Sequence, residues 1–358
     1  MGGKMSEEVA KPKRVFRRGV HCSFAMSGET VDVFKVLLKA FRDDFLKEWD
    51  RSFNPLPLTV TAEGLKIYVF DGSRIKLADV RMDKYDFDGF DVGEVYKVKR
   101  DELPVTIGLP INDLIYALES AGKHVPVSFD ISAITRVWSE KRRVEKRKPE
   151  HCPKCGAETI YNALSPEKRG KRGNLFKCSV CGWRGKVRRW FKTERVKVHS
   201  LDEKGSKLTV EVARPDSEVY KLNISHVESE DTPLPKMKFD ATVKVNLEEF
   251  RKKIERISKK CDQVVFSASS DMFKVEGLRE GEALAEFKFD KGLSSTILDL
   301  EVNGKCRAGY GSKQILSCMP KIGEVATLKF ANNQPLNVDV ATVFTSVNFW
   351  LAPTLSAD

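Results

Sequence analysis

The sequence predicts an α+β fold in two tandem halves, with a cysteine-containing module inserted into the first half. Three observations support this fold class. Strand-like runs and amphipathic helices follow one another in the same order over residues 20–131 and 239–358. A segment dense in Lys and Arg, residues 132–205, interrupts the first series. A chain of 358 residues is also long enough for two domains of ordinary size.

The first half combines two amphipathic helices with short strands. The run VHCSFAM alternates like a strand, and a helix is predicted over residues 31–49. Its apolar stripe, at i, i+3, i+4, i+7 and i+11, comprises Phe34, Leu37, Leu38, Phe41 and Phe45. Short β-rich runs with Gly turns follow over 56–82, and a second helix is predicted over 109–123. The strand-like run VPVSFDIS then leads into the insert.

The second half repeats this order. The strand-like run FDATVKV precedes a helix predicted over 246–260. Its buried stripe comprises Leu247, Phe250, Ile254 and Ile257. Further strand-like runs, a short helix at 312–319 and the closing runs TLKFANNQPLNVDV and VNFWLAP complete the half. Two copies of one element order predict an internal duplication.

These observations divide the sequence into five predicted segments. They are a flexible basic tail at 1–18, a first domain at 19–131 plus 206–227, the insert at 132–205, an interdomain connector at 228–238, and a second domain at 239–358. The connector is acidic at first and then contains Pro, a composition typical of an extended surface segment.

The positive charge of the chain is confined to two of these segments. The formal net charge is +11. The insert holds 21 Lys/Arg against 8 Asp/Glu, a net of +13, and the first 18 residues add +4. The rest of the chain therefore carries −6. A basic segment on an acidic body indicates a local contact with a polyanion.

The insert contains two CxxC pairs in HCPKCG and KCSVCG. The candidate ligands are Cys152, Cys155, Cys178 and Cys181. Four thiolates suit tetrahedral Zn²⁺ at about 2.3 Å, and a shell of four cysteines leaves no position open for catalysis. A glycine after each pair, Gly156 and Gly182, permits a tight turn. The spacing predicts a zinc ribbon with structural Zn²⁺, while paired disulfides or an iron–sulfur cluster remain alternatives.

Aromatic residues lie among the basic residues of the insert. They are Trp138, Trp183, Trp190 and Phe191. In a basic setting such rings stack on nucleic-acid bases, and in a small module they also pack on its core. Both interpretations stay open from sequence, with Arg188 and Arg189 as candidate DNA contacts.

Five short runs carry a resemblance to a known family. They are FDGSRIKLADV (70–80), LPINDLIYAL (109–118), PLPKMKFDA (233–241), NQPLNVDV (333–340) and FWLAPT (349–354). In this order and spacing they resemble the DNA sliding clamp family, the archaeal and eukaryotic proliferating cell nuclear antigen. The resemblance covers nearly all of 20–131 and 206–354 and implies two tandem clamp domains of the processivity fold.

The resemblance implies a homotrimeric head-to-tail ring, with helices lining the hole and β-sheets outside. Such a ring encircles duplex DNA without sequence preference and tethers DNA polymerase and other replication and repair enzymes. The candidate DNA contacts on its helices are Lys35, Lys39, Arg42, Arg251, Lys252, Arg256, Lys259 and Lys313. Lys253 and Lys260 also lie on the surface of the second-half helix, which looks almost free of acidic residues on that surface. The helix at 110–121 departs from the family, because it carries Asp113 and Glu119 and no basic residue before Lys123.

Clients of sliding clamps bind a groove between the connector and the closing strand through a short peptide motif. By resemblance, that groove here comprises Phe70, Ile75, Leu77, Leu234, Met237, Pro335, Ala352 and Pro353. Several of these positions are also consistent with residues of the hydrophobic core, above all Leu77 and Pro335. A clamp-loading ATPase as a further partner is left open.

The sequence indicates no enzyme. It has no GxxxxGK[ST] phosphate loop, GxSxG elbow or HExxH motif. It also lacks a secretory signal and an apolar run of about 20 residues, which predicts a cytoplasmic protein without membrane contact, or a nuclear one in a eukaryote. The expected source is an archaeon or one of its viruses. The alternative function is a zinc-ribbon nucleic-acid-binding or transcription-related factor whose clamp-like body forms no ring, and a DNA hydrolase is a distant third.

Overall fold

The computed structural model describes residues 16–46, 55–96, 104–146, 152, 154–157, 160–162, 174–187, 190–227, 234, 237–342 and 344–354. The chain divides into two compact units. The insert unit includes Arg136–Ser200, and the body unit consists of Arg18–Thr135 and Leu201–Asp358. This division falls a few residues inside the predicted insert, and the predicted boundary between two domains of the body stays a prediction.

Strands make up most of the body. Those of the first half are β1 (Phe16–Met26), β2 (Leu56–Thr61), β3 (Gly64–Phe70), β4 (Lys76–Asp83), β5 (Phe90–Tyr96), β6 (Val105–Leu109), β7 (Val127–Lys146), β12 (Lys207–Val212) and β13 (Glu218–Asn223). The insert contributes β8 (Ile160–Asn162), β9 (Asn174–Cys178), β10 (Arg184–Val187) and β11 (Trp190–Leu201). Those of the second half are β14 (Ala241–Asn246), β15 (Gln263–Ala268), β16 (Met272–Arg279), β17 (Glu282–Asp290), β18 (Ile297–Val302), β19 (Cys306–Gly311), β20 (Val325–Phe330), β21 (Leu336–Ala341) and β22 (Ser346–Leu351).

Two α-helices lie in each half. They are α1 (Gly28–Ala40), α2 (Ile111–Ser120), α3 (Leu247–Ser258) and α4 (Ser312–Ser317), and a 3₁₀ turn spans Lys84–Asp86. Side-chain caps begin the longer pair: Ser27 accepts a hydrogen bond from the Thr30 N–H, and Asn246 accepts one from the Glu249 N–H. All four residues of the predicted α3 stripe are buried.

The first helix is shorter than predicted and changes form. It is α-helical to Ala40 and continues as a π-helix over Phe41–Phe45. Wider turns of this kind are rare and cannot be recognised from an apolar stripe. Here the wider turn leaves both phenylalanines buried, with the Phe45 ring 6.0 Å from that of Phe349 in β22.

The sheet order confirms the predicted α+β fold and its duplication. In the first half the strands run β5–β1–β7–β12–β13 and β4–β3–β2–β6. In the second half they run β18–β14–β20–β21–β22 and β17–β16–β15–β19. Each strand of one series occupies the same place as its counterpart in the other, which is the pattern of a duplicated unit.

One antiparallel junction joins the two halves. Strand β22 pairs with β4 from Ser346 opposite Arg81 to Leu351 opposite Lys76. This pairing fuses a sheet of each half into one nine-stranded sheet with the order β18–β14–β20–β21–β22–β4–β3–β2–β6. A single apolar core extends across both halves of the body. None of the helices in the described ranges is long and apolar enough to span a lipid bilayer.

Candidate metal, nucleic-acid and partner sites

The four predicted cysteine ligands lie together in the insert unit. All their Sγ atoms are within 4.8 Å of one another. Two of the distances are 3.6 Å, from Cys152 to Cys181, and 3.7 Å, from Cys155 to Cys178. Each CxxC pair ends in a tight turn closed by a glycine with positive φ, +72° at Gly156 and +67° at Gly182.

These distances fit one metal ion and do not fit disulfides. A tetrahedron with metal–sulfur bonds of about 2.3 Å has edges of about 3.8 Å. A disulfide requires about 2.05 Å, and all eight cysteines are free. A hydrogen bond from the Cys181 N–H lowers the pKa of the Cys178 thiol to about 7. The four cysteines can therefore bind a metal.

In the part of the insert that the structure describes, the cysteine pairs are supported by a small core. Strands β8, β9 and β10 form a three-stranded antiparallel sheet, and Phe176 of β9 is buried with Cys152 and Cys178. Trp183 packs against this cluster, as the core interpretation of this residue expects. The described side chains do not include Trp138, Trp190 and Phe191, and Arg188 and Arg189 lie outside the described residues.

Two basic residues of α3 contact other parts of the fold, and the others are exposed to solvent. Arg251 donates from Nη1 to the Leu316 carbonyl at 2.8 Å and to the Met319 carbonyl, and from Nε to Glu255 at 3.0 Å. The guanidinium thus fastens α3 to α4. Lys253 lies over the rings of Phe287 and Phe289, at 5.6 and 5.7 Å from their centroids.

The remaining basic residues of this surface point to solvent. Lys252 forms an exposed i,i+4 pair with Glu248 at 2.6 Å. In the described part of the chain, four exposed basic residues of this surface form no ion pair: Arg256, Lys259, Lys260 and Lys313. The sequence predicted a surface almost free of acidic residues, but Glu248 and Glu255 each form an ion pair with one basic residue of the helix.

The basic residues of α1 and the π-helix all form ion pairs within the chain. Lys35 is only 9% exposed; its Nζ donates to the Gly122 carbonyl at 2.5 Å and pairs with Asp32 at 2.6 Å. Lys39 pairs with Glu119 of α2 at 2.7 Å. Arg42 pairs with Asp43 at 2.8 Å. These three residues have the same spacing as basic residues on α3, but their positive charges are neutralised by acidic residues within the chain.

Several groove candidates meet at one end of the nine-stranded sheet. The Ala352 N–H donates to the Ile75 carbonyl at 2.8 Å. Phe70 lies opposite Leu77 in the β3–β4 pair. Pro335 precedes Leu336, which pairs with Leu351 at the same end. Pro353 is half-buried beyond this point, whereas Leu77 is 5% exposed and belongs to the core.

The connector side of the groove is described at two of its predicted positions. Leu234 and Met237 are both half-buried, and the residues between them lie outside the described part. Two residues near the groove were not predicted from the sequence: Phe239 and Trp350, whose rings pack at 6.0 Å beside the end of this connector. The FWLAP run contained the signal, because an aromatic side chain precedes the buried Leu351 on the alternating strand.

Two edge strands were also not predicted from the sequence. Strand β13 ends one sheet path, and strand β17 ends another. Each exposes a large apolar side chain: Val219 of β13 is 52% exposed, and Leu284 of β17 is 54% exposed. Exposed edges with apolar side chains are open to pairing with another chain.

Comparison with known sequences gives two partial relatives. The chain is 32% identical to a DNA polymerase sliding clamp of Thermococcus gammatolerans over 126 residues, 34% of this chain and 48% of that protein. It is 25% identical to a DNA polymerase sliding clamp of Cenarchaeum symbiosum over 160 residues, 43% of this chain and 62% of that protein. The chain thus spans about half to three-fifths of the length of these curated relatives. No protein-family model matches the sequence.

Comparison with solved structures covers nearly the whole chain. PCNA from Thermococcus kodakaraensis matches with a TM-score of 0.62 at 12% identity, over 93% of this chain and all of that one. PCNA from Entamoeba histolytica matches at 0.60 and 13%, over 94% and 99%. The PCNA2–PCNA3 complex from Sulfolobus tokodaii matches at 0.58 and 14%, over 92% and 98%. The body therefore has the fold of a PCNA clamp.

We predict that Arg251→Ala lowers the free energy of unfolding by about 1–3 kcal/mol, because two backbone carbonyls lose their donor. Arg256→Ala, on the same helix with an exposed side chain, should change it by less than about 0.5 kcal/mol. Urea denaturation followed by circular dichroism measures both. Equal losses in the two variants would show that Arg251 does not fasten α3 to α4.

Proposed function

We propose that the chain is a subunit of a DNA sliding clamp, a ring that encircles duplex DNA and tethers the enzymes of replication and repair. The observation that carries the proposal is a pair of strands in a duplicated fold that are sheet edges among the residues that the structure describes. Strands β4 and β22 are joined within the chain, and their counterparts β17 and β13 are both edges. Pairing β13 of one copy with β17 of the next repeats the internal junction between chains.

Repetition of one junction leads to a closed assembly. An interface between two different surfaces of the same chain is heterologous, and it forms a ring when the rotation between copies closes. Three copies with two clamp units each make the six-unit ring that the resemblance implies. The names of the two partial relatives, both DNA polymerase sliding clamps, support the same role. This role requires no catalytic step and places the protein with the DNA of the cell.

A second candidate rests on the charge of the insert. A net charge of +13 on residues 132–205 favours contact with nucleic acid even without a ring. A factor of this kind would remain monomeric and would bind linear and circular DNA alike. The mass in solution and the effect of DNA topology separate it from the clamp.

Retention on circular DNA tests the ring. We expect three chains of 40.5 kDa per particle by light scattering, and retention on nicked circular DNA that is lost when the DNA is linearised. Val219→Asp combined with Leu284→Asp places like charges on both edges and should abolish the assembly and the retention. Leu298→Asp, on the exposed outer edge of β18, is the matched control and should leave both intact. A monomeric wild-type chain bound equally to both DNA forms would favour the second candidate.

We further propose that the four cysteines hold one structural Zn²⁺. In the described part of the insert, the buried apolar core consists of Phe176 and its neighbours around the cysteines, and a bound metal would add the stability that so small a core does not supply. The thiolate shell is complete, so the ion would supply stability and no catalysis.

Metal analysis tests this assignment. Purified protein should contain about one zinc per chain by mass spectrometry, because four thiolates complete one tetrahedral shell. Cys152→Ser with Cys178→Ser should lose the zinc, whereas Cys261→Ser, a buried cysteine of the body, should retain it. Bound iron in place of zinc would support the iron–sulfur alternative instead.

The groove at the end of the β4–β22 junction is the proposed client site. Half-buried apolar side chains from the connector and the closing strand, with Ile75, suit a short helical turn carrying apolar and aromatic anchors. Phe239 and Trp350 extend this surface.

Substitution in the connector tests the groove. Leu234→Ser with Met237→Ser should weaken binding of a fluorescent peptide of this kind at least about tenfold, since each apolar contact contributes about 1.5–3 kcal/mol. Leu293→Ser, in an exposed turn, should bind like the wild type. Fluorescence anisotropy measures the affinities, and unchanged binding in the double variant would place the clients elsewhere.

A further inference from the structure

Two triplets of basic residues have the same spacing on corresponding helices. Lys35, Lys39 and Arg42 recur at i, i+4 and i+7 in the first half. Lys252, Arg256 and Lys259 have this spacing in the second half. Side chains at these intervals share one helix face, so the sequence alone makes the two faces equivalent. The structure gives them different electrostatic surroundings.

Glu119 lies among all three basic residues of the first-half triplet. It pairs with Lys39, and this contact, with the charges of Arg42 and Lys35, lowers the pKa of the Glu119 carboxyl. Lys35 is also buried against Asp32 and the Gly122 carbonyl. The elements that form this face, 28–45 and 111–120, contain three basic and six acidic residues, a formal charge of −3. The face offers a phosphate little net attraction.

The second-half face has the opposite balance. Residues 247–260 and 312–317 contain seven basic and three acidic residues, a formal charge of +4. Two of these acids are occupied within the helix by Lys252 and Arg251. The third, Glu249, accepts a hydrogen bond from Thr296 at 2.9 Å. The exposed cations of Arg256, Lys259 and Lys260 are thus available to an outside anion.

We propose that duplex DNA is contacted through one half of each subunit only. The phosphates meet the solvent face of α3 at Arg256, Lys259 and Lys260, together with the exposed Lys313 of α4, and the face of α1 and α2 offers them no net attraction. The inference rests on the proposed clamp function and deepens it. A three-subunit ring then holds DNA at three basic patches separated by three faces that carry no net positive charge. Contacts of this kind neutralise phosphates without reading sequence.

Matched double variants in the full chain test the inference, with the insert unchanged in each. Arg256→Ala with Lys259→Ala should weaken binding to a 30-base-pair duplex about fivefold or more at 0.1 M salt. The slope of log affinity against log salt should become shallower by about 0.9 for each phosphate that the variant no longer neutralises. Lys39→Ala with Arg42→Ala should leave the affinity and the slope at the wild-type values. Fluorescence anisotropy over a salt series measures both.

Glu119→Gln should change the DNA affinity in the opposite direction. Removal of this carboxylate frees Lys39 and should raise the affinity and steepen the salt slope, an effect that disruption of a merely structural interaction would not produce. Two results would overturn the one-sided contact: equal weakening of binding by the two double variants, or no increase in affinity from Glu119→Gln. The clamp function would still hold if the wild type were retained on circular DNA. Absence of that retention in the wild type would overturn the clamp function and the inference with it.

Discussion

Backbone pairing between β4 and β22 is the constraint on which the rest of the body depends. It joins two duplicated halves into one nine-stranded sheet and extends one apolar core across both. Because β22 lies near the end of the chain and β4 near its beginning, the pairing brings Ile75 beside Ala352 and so creates the candidate groove. The same duplication leaves β13 and β17 as edges among the described strands, and an edge of this kind is open to pairing with a strand from another chain.

The helices show how one fold can carry two electrostatic faces. Buried stripes such as Phe34, Leu37 and Leu38 on α1, or Phe250 and Ile254 on α3, set which side of each helix faces the core. The role of the charged side chains on the opposite side then depends on the residues that lie next to them in the fold. Glu119 neutralises one face, and no residue of α4 does the same for the other. A charge run considered without its neighbouring helix is therefore an incomplete guide to nucleic-acid contact.

The insert unit follows a different physical principle from the body. The body buries large phenylalanine clusters, including Phe250, Phe266 and Phe273, which form an extensive apolar core. The insert has few buried apolar side chains in its described part, and four thiols at metal-ligand separation occupy the place of a core. With the proposed metal bound, the stability of the insert would be tied to the metal, whereas the stability of the body is tied to packing.

The sequence by itself determined the α+β class, the duplicated element order, the four clustered cysteines and the buried stripes of α1 and α3. Each of these follows from local spacing: 3.6 residues per helical turn, alternation along a strand, or two residues between ligands. Only the tertiary structure decided that Lys35 and Arg251 bind backbone carbonyls, that Leu77 is core, and that β13 and β17 remain edges. These outcomes depend on residues such as Gly122, Leu316 and Ala352, which lie far away in the chain. Local spacing specifies which face a side chain occupies, and only the packed fold specifies which partner meets it there.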